Sequence, residues 1–416
     1  MMTAETERPT KPEEGRQAGL FWRFWAASTV SQTGDAITAV ALPLLAVQVL
    51  DASSFQVSLI TAASFVAWLA IGLPAGVIVQ RLPLRGTQVA MDLLRAFALL
   101  SIPVAAFLDV LHFWQLVAVA LVISFASVVF DVGNSTFLPA IVSKEELTSR
   151  NSLMSSTQAV TQVGGPSLGG ILVQLVGAVN SLLVDTVSYF VSAVLLWTVP
   201  RPARVAPTGS GLSMTKMIKA GWQYVVRHEV IRPCVAAATS TNFVAGALMA
   251  LTPVFLIRTL DAPAGLVGIV IAAGGVGSFL GATVTTRVAR GLGSARTLRW
   301  ATLVGATLSL LMPLAMPGAG LLLFVIGNAG FSAGVVVLSI LTRTHRQATT
   351  PADLLPRVMA TVRFISWGAV PLGAVTAGIV ASTLGNREAF WIICGLAFLT
   401  PAVLWGSSLR HRRELA

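Results

Sequence analysis

Of the 416 residues, 55% are hydrophobic and only 11% charged, against the roughly one-quarter charged residues of soluble domains, which excludes an ordinary soluble globular chain. A net charge of +11 invites a nucleic-acid reading, but the basic residues lie between long apolar runs rather than on one contiguous patch, so no nucleic-acid partner is expected. Cys234 and Cys394 give no disulfide framework, and His112, His228, His345 and His411 are too scattered for a metal site.

Residues 1–19 are polar and read as a disordered cytoplasmic tail with no cleavable leader. Six apolar runs follow, near 24–49, 56–79, 87–108, 113–137, 152–175 and 180–199. Six more lie near 232–257, 265–288, 297–315, 319–342, 358–383 and 388–408. Each approaches the length of about 20 residues that a helix needs to cross a bilayer, so the fold class is an all-α membrane protein with twelve transmembrane helices. With the N-terminus inside, 26 of the 28 Lys and Arg residues fall on the cytoplasmic side, leaving Arg258 and Arg387 outside. The domain plan is therefore a tail (1–19), a six-helix bundle (20–199), a linker (200–231), a second six-helix bundle (232–408) and a short cytoplasmic tail (409–416). Within the linker, Met214, Met217, Ile218, Gly221 and Val225 recur at helical spacing, consistent with an amphipathic helix on the membrane surface or a solvated connector.

The two halves repeat each other. "ALPLLAVQVLDA" (41–52) aligns with "LTPVFLIRTLDA" (251–262), and "GLPAGVIVQRLPLRG" (72–86) with "GSFLGATVTTRVARG" (277–291). Leu147 and Arg150 face Leu354 and Arg357, and Gly170 and Gly177 match Gly378 and Gly385, all at offsets between 205 and 210. Six spans separate the copies, so both keep one orientation, and the expected plan is two pseudo-repeats with a substrate site near mid-membrane between them.

Polar residues inside the spans are the candidate site, because a charge at the bilayer centre costs at least about 2.5 kcal/mol. Asp35 lies midway along span one beside Gln32. Asp92 and Asp131 lie in spans three and four toward the inside, and Asp185 lies in span six toward the outside. A carboxyl whose surroundings alternate between water and apolar side chains changes its proton affinity, so Asp35 and Asp185 are candidates for proton coupling, with a structural hydrogen-bonding role as the alternative. Asp92 and Asp131 are expected to pair with Arg85 and Arg95 as part of a gate, together with Arg363. Gln32, Gln158, Gln162, Asn242 and Asn328, with Trp68 and Trp367, either face a cavity or tie helices together. "TQVGGPSLGG" (161–170) is not a phosphate loop, since no lysine follows its glycines. Gly165, Gly169 and Gly170 clear a helix face for a neighbour, and Pro166 bends the helix. No nucleotide motif and no catalytic set appear, so neither an enzyme nor a cofactor is expected, and an ion gradient rather than ATP is the expected energy source.

"SQTGDAITAVALPLLA" (31–46), "GLPAGVIVQRLPLRG", "FLPAIVSKEELTSRNSLMSS" (137–156) and "FISWGAVPLGAVTAGIVASTLG" (364–385) together resemble the major facilitator superfamily, in particular its bacterial drug:proton antiporter group of macrolide and siderophore exporters. The loop after span two is similar to the superfamily's glycine/arginine signature. Gly72 and Gly76 supply packing glycines, Arg81 and Arg85 fit, and Gln80 stands where an Asp is usual. "GPSLGG" (165–170) resembles the exporter-associated signature of span five. The resemblance implies a monomeric, proton-driven exporter of small hydrophobic or amphipathic compounds in the inner membrane, with both termini cytoplasmic. An importer or facilitator, or a lysophospholipid transporter, of the same fold is the alternative.

Overall fold

The computed structural model describes residues 11–72, 74–75, 82–142, 146–200, 214–351 and 354–415. Helices α1 (Lys11–Gln48), α2 (Ser54–Ile71), α3 (Leu84–Phe107), α4 (Phe113–Ile141), α5 (Leu147–Val176) and α6 (Ala178–Trp197) form the first half. The linker helix α7 (Met214–Arg227) precedes α8 (Ile231–Val254), α9 (Ala264–Leu292), α10 (Ser294–Ser309), α11 (Leu321–Thr349) and α12 (Leu355–Leu384). The last segment is split into α13 (Asn386–Leu396) and α14 (Leu399–Trp405), where Pro401 removes the N–H that would continue the ladder. Among the described residues, ten helices are long and apolar enough to cross a membrane. Helices α5, of 30 residues, and α10, of 16, complete the two sets of six, and with them the architecture fits the expected twelve. Helix suits this setting because it satisfies its own backbone polar groups where no water is available. Helix α1 begins at Lys11, inside the stretch expected to be a polar tail.

The halves are related by a two-fold pattern of contacts. α5 packs on α9, and α2 packs on α12. The turns repeat as well. Asp51 and Asp261 both take positive φ, 46° and 49°, and the N–H groups of Ala52 and Ala262 return to the carbonyls of Ala46 and Leu256 at 2.8 and 2.9 Å. Gly177 and Gly385, at φ 83° and 103°, make the second matching pair of turns.

One end of the molecule, the basic face, carries the linker helix, Arg23 of α1 and the segment around Ser408; the other is the far face. Toward the far face a single apolar cluster joins the halves, with Leu44, Ile60 and Leu182 packed into one body with Leu251, Phe255 and Phe390. Toward the basic face the clusters separate, Phe24, Phe130 and Phe137 in the first half and Cys234, Leu298 and Leu338 in the second. The molecule is therefore closed at the far face and open at the basic face.

Both arginines expected outside lie at the far face. Arg387 donates to the carbonyls of Pro313 and Ala315 at 2.6 and 3.0 Å, and Arg258 pairs with Asp51 across the halves at 2.6 Å. The Asp51 side chain is 96% exposed, so water screens that pair and the apolar cluster supplies most of the closure. Arg258→Gln should lower stability by less than about 1 kcal/mol in thermal unfolding in nanodiscs, and a larger loss would move the closing force onto the ion pair. The C-terminal segment is also packed: Leu409 and Leu415 are buried, Arg413 accepts the Ala295 N–H at its carbonyl, and Glu414 accepts from Ser294.

Candidate functional site

The gap between the halves holds a cavity of about 880 Å³ that widens toward the basic face. Trp68 and Gly72 at the end of α2 and Gln158 of α5 line one side. Asn242 of α8, Arg343 and Arg346 of α11, and Arg363 and Trp367 of α12 line the other. Trp68 and Trp367 meet across the halves with centroids 5.5 Å apart. The Arg363 guanidinium lies 4.0 Å from the Trp68 centroid and 4.9 Å from that of Trp367. Arg363 is exposed in the cavity, where a cation over an indole face is worth about 0.5–1 kcal/mol, and together the three side chains form an aromatic shelf in the cavity wall.

Beside the cavity, the core of the first half holds a polar network. Arg95 of α3 is buried, with its guanidinium between the rings of Phe130 and Tyr189 at 4.3 and 4.5 Å. It pairs with Asp92 one turn earlier and lies 3.6 Å from Asp35 of α1. The Tyr189 hydroxyl donates to Asp35 at 2.5 Å, and Ser192 donates to Asp92 at 2.6 Å. Asp185, four residues before Tyr189 on α6, is fully buried and accepts from Thr38 at 2.5 Å and from Ser188 at 2.7 Å. Gly34 makes this possible, because any Cβ there would collide with the Asp185 carboxylate and the Ser188 hydroxyl. Two carboxylates, Asp35 and Asp92, thus flank one guanidinium, and the buried Asp185 beside them has only hydroxyl partners, so the apolar bundle holds more acid than base. Asp35 is the member open to solvent, with a side chain 40% exposed. Asp131 of α4, exposed, lies within electrostatic reach of Asp35 and Arg95 in the network and of Arg363 in the shelf.

The expected gate is rearranged. Asp92 takes Arg95, but Arg85 serves neither acid. It donates to the carbonyls of Trp197 and Val199 at 3.3 and 3.0 Å and lies over the Trp197 ring, tying the start of α3 to the end of α6. Among the described residues Asp131 has no ion pair within 4.0 Å. Asn328 turns away from the cavity and donates to the Val270 carbonyl at 3.1 Å, locking α9 to α11. Gln32 is half-buried on α1 and does not line the cavity. Gly72 caps α2 through its N–H to the Trp68 carbonyl, and the three atoms nearest to a Cβ there all belong to Trp68. Gly76, Gln80 and Arg81 lie outside the described residues, as does the Gln162 side chain.

The span-five glycines do pack closely, against two partners. Gly165 and Gly169 seat on Ala36 and Ile37 of α1, within the first half. Gly170 crosses Gly268 of α9, where a Cβ would come within 2.7 Å of the Gly268 Cα, and the Pro166 carbonyl faces the same glycine. The second half repeats both: Gly373 seats on Phe243, and Gly378 meets Ser58.

Sequence reasoning missed Tyr189, Thr38, Ser188 and Ser192. The available signal was that Tyr189, one of only two tyrosines in the chain, falls one turn after Asp185 in an apolar run. Arg343 and Arg346 were absorbed into the inside charge count, which carries no information about the helix face.

Two six-helix halves joined at one end, enclosing a polar cavity open at the other, define a membrane transporter of the major facilitator fold. A family model described as transmembrane secretion effector matches residues 16–415, and the chain belongs to that family of the major facilitator superfamily. It is 25% identical to the major-facilitator-type transporter YfiS of Bacillus subtilis (strain 168), over 97% of each chain. It is 26% identical to the multidrug efflux pump Tap of Mycolicibacterium fortuitum, over 91% of this chain and 92% of that one. Among solved structures, a bacterial homologue of the iron transporter ferroportin in an inward-facing state superimposes with a TM-score of 0.75 at 17% identity, covering 94% of this chain and 99% of that one. The nucleoside transporter NupG gives 0.74 at 12% identity, covering 94% and 99%. At those identities the structures speak for the fold alone.

Proposed function

We propose that the protein is a monomeric, proton-coupled exporter of small hydrophobic or amphipathic compounds that works by alternating access. It sits in the inner membrane with the basic face cytoplasmic, in keeping with the positive-inside rule. The observation that carries the coupling is the charge imbalance of Asp35, Asp92 and Asp185 against Arg95, with Asp35 open to solvent. A site that is neutral only when protonated binds protons in one set of surroundings and releases them in another. Export is favoured by the family's description as secretion effectors and by the likeness to an efflux pump.

The test is a drug-susceptibility and accumulation screen in an efflux-deficient host, with and without a protonophore. Expression should lower accumulation of at least one amphipathic compound, and the protonophore should restore it. Accumulation that expression never lowers, or a lowering that survives the protonophore, overturns the reading.

A further inference from the structure

Among the described residues, Arg346 has no anion to neutralise it. Its side chain is 93% buried by relative exposure of 7%, it lines the cavity, and its Nε and Nη1 are buried without a hydrogen-bond partner. No carboxylate pairs with it, with Arg343 or with Arg363 among the described residues, and the groups that act on it electrostatically are Cys234 and Arg343. A guanidinium stays charged, so burying one without a partner is unfavourable. Among the described residues, the cavity lining carries three arginines and no acidic residue. Around them lie the Trp68–Trp367 shelf and the apolar side chains of Val335, Met359 and Phe364.

We infer that this wall is an oxyanion site, centred on Arg346 and flanked by Arg343 and Arg363, and that the transported compounds are amphipathic organic anions whose apolar body lies on the tryptophan shelf. The inference rests on the proposed transport function but not on its direction or its driving ion. Charge-assisted hydrogen bonds to Arg346 replace those that water cannot supply, and they are stronger there than in bulk solvent.

The experiment measures equilibrium binding to the full chain in neutral-lipid nanodiscs, with no gradient. The probes are naphthylacetate, naphthalenesulfonate and naphthyl phosphate, set against the neutral naphthylacetamide and the cationic naphthylmethylammonium. At least one anion should bind about tenfold tighter than the amide and the cation, and the preferred anion identifies the oxyanion class. Arg346→Gln should remove that preference while leaving amide binding within about twofold, and Arg346→Lys should restore part of it. Arg343→Gln, at an exposed position, should reduce the preference by about threefold and serves if Arg346→Gln fails to fold. Equal affinity for anion and amide, tighter binding of the cation, no binding of any probe, or a preference that persists in the glutamine variants each overturns the site. A loss of proton-driven export with anion preference intact would instead strike the coupling scheme alone.

Discussion

Asp35→Asn should abolish uphill efflux and leave substrate exchange at equal concentrations within a few-fold of the parent. The substitution keeps an oxygen in position to accept from Tyr189, which now donates to Asp35 at 2.5 Å, and Arg95 keeps its pairing with Asp92. Packing is therefore preserved, and what is lost is the one carboxylate of the network that solvent reaches. Each proton entering down about 100 mV supplies about 2.3 kcal/mol, which sustains a concentration ratio of roughly 50. Without a titratable group at this position the ratio should fall to about 1, while movement down a gradient continues. The measurement is substrate concentration on both sides of proteoliposomes after a pH jump, paired with counterflow in the same vesicles. An undiminished uphill ratio would remove Asp35 from the coupling path. Loss of both activities together would make its role structural.

Tyr189→Phe separates the two parts of that argument. It removes the hydroxyl from Asp35 but leaves the ring against the Arg95 guanidinium, 4.5 Å from its centroid. The network's charge balance is unchanged, so coupling should survive with an altered pH profile.

Much of the frame was readable because membrane helices are written in long, redundant signals. The Leu-Asp-Ala pair at 50–52 and 260–262 marked equivalent turns, and the structure gives both aspartates the same left-handed backbone and the same returning hydrogen bond. Gly170 and Gly378 aligned for a similar reason: each clears the place where the two halves cross. The site was readable only in part, because it depends on helix rotation and on single contacts. Asp92 found the arginine one turn away on its own helix, a spacing visible in the sequence. Arg85 found two backbone carbonyls at the end of α6, which no side-chain pattern encodes. Asn328 and Asn242 look alike as lone amides in apolar runs, yet one holds α9 to α11 and the other lines the cavity. Arg346 was hidden by a rule that works: basic residues at the inner ends of spans satisfy the orientation bias whether they point into water, lipid or a cavity.

Gly170→Val should drive the molecule out of the state described here. The crossing of α5 over α9 lies near the far face, six residues before α5 ends and four after α9 begins. That is the end the shared apolar cluster closes. A Cβ at residue 170 would lie 2.7, 2.8 and 2.9 Å from the Gly268 Cα, the Gly268 nitrogen and the Ala264 carbonyl oxygen, all backbone atoms that cannot rotate away. Relief requires the two helices to separate, and overpacking of this kind costs about 1–3 kcal/mol. Because the separation coincides with opening of the far face, the cost falls on the far-closed state and shifts the open-to-closed ratio by roughly five- to 150-fold. Gly378→Val, at the equivalent crossing of α12 over α2, meets Ser58 and the Phe55 Cα and should push the same way. The readout is energy transfer between labels on the α1–α2 and α8–α9 turns, where the variant should populate the longer distance and lose transport. An unchanged distance distribution with normal transport would show that these glycines fill space and take no part in closing the far side.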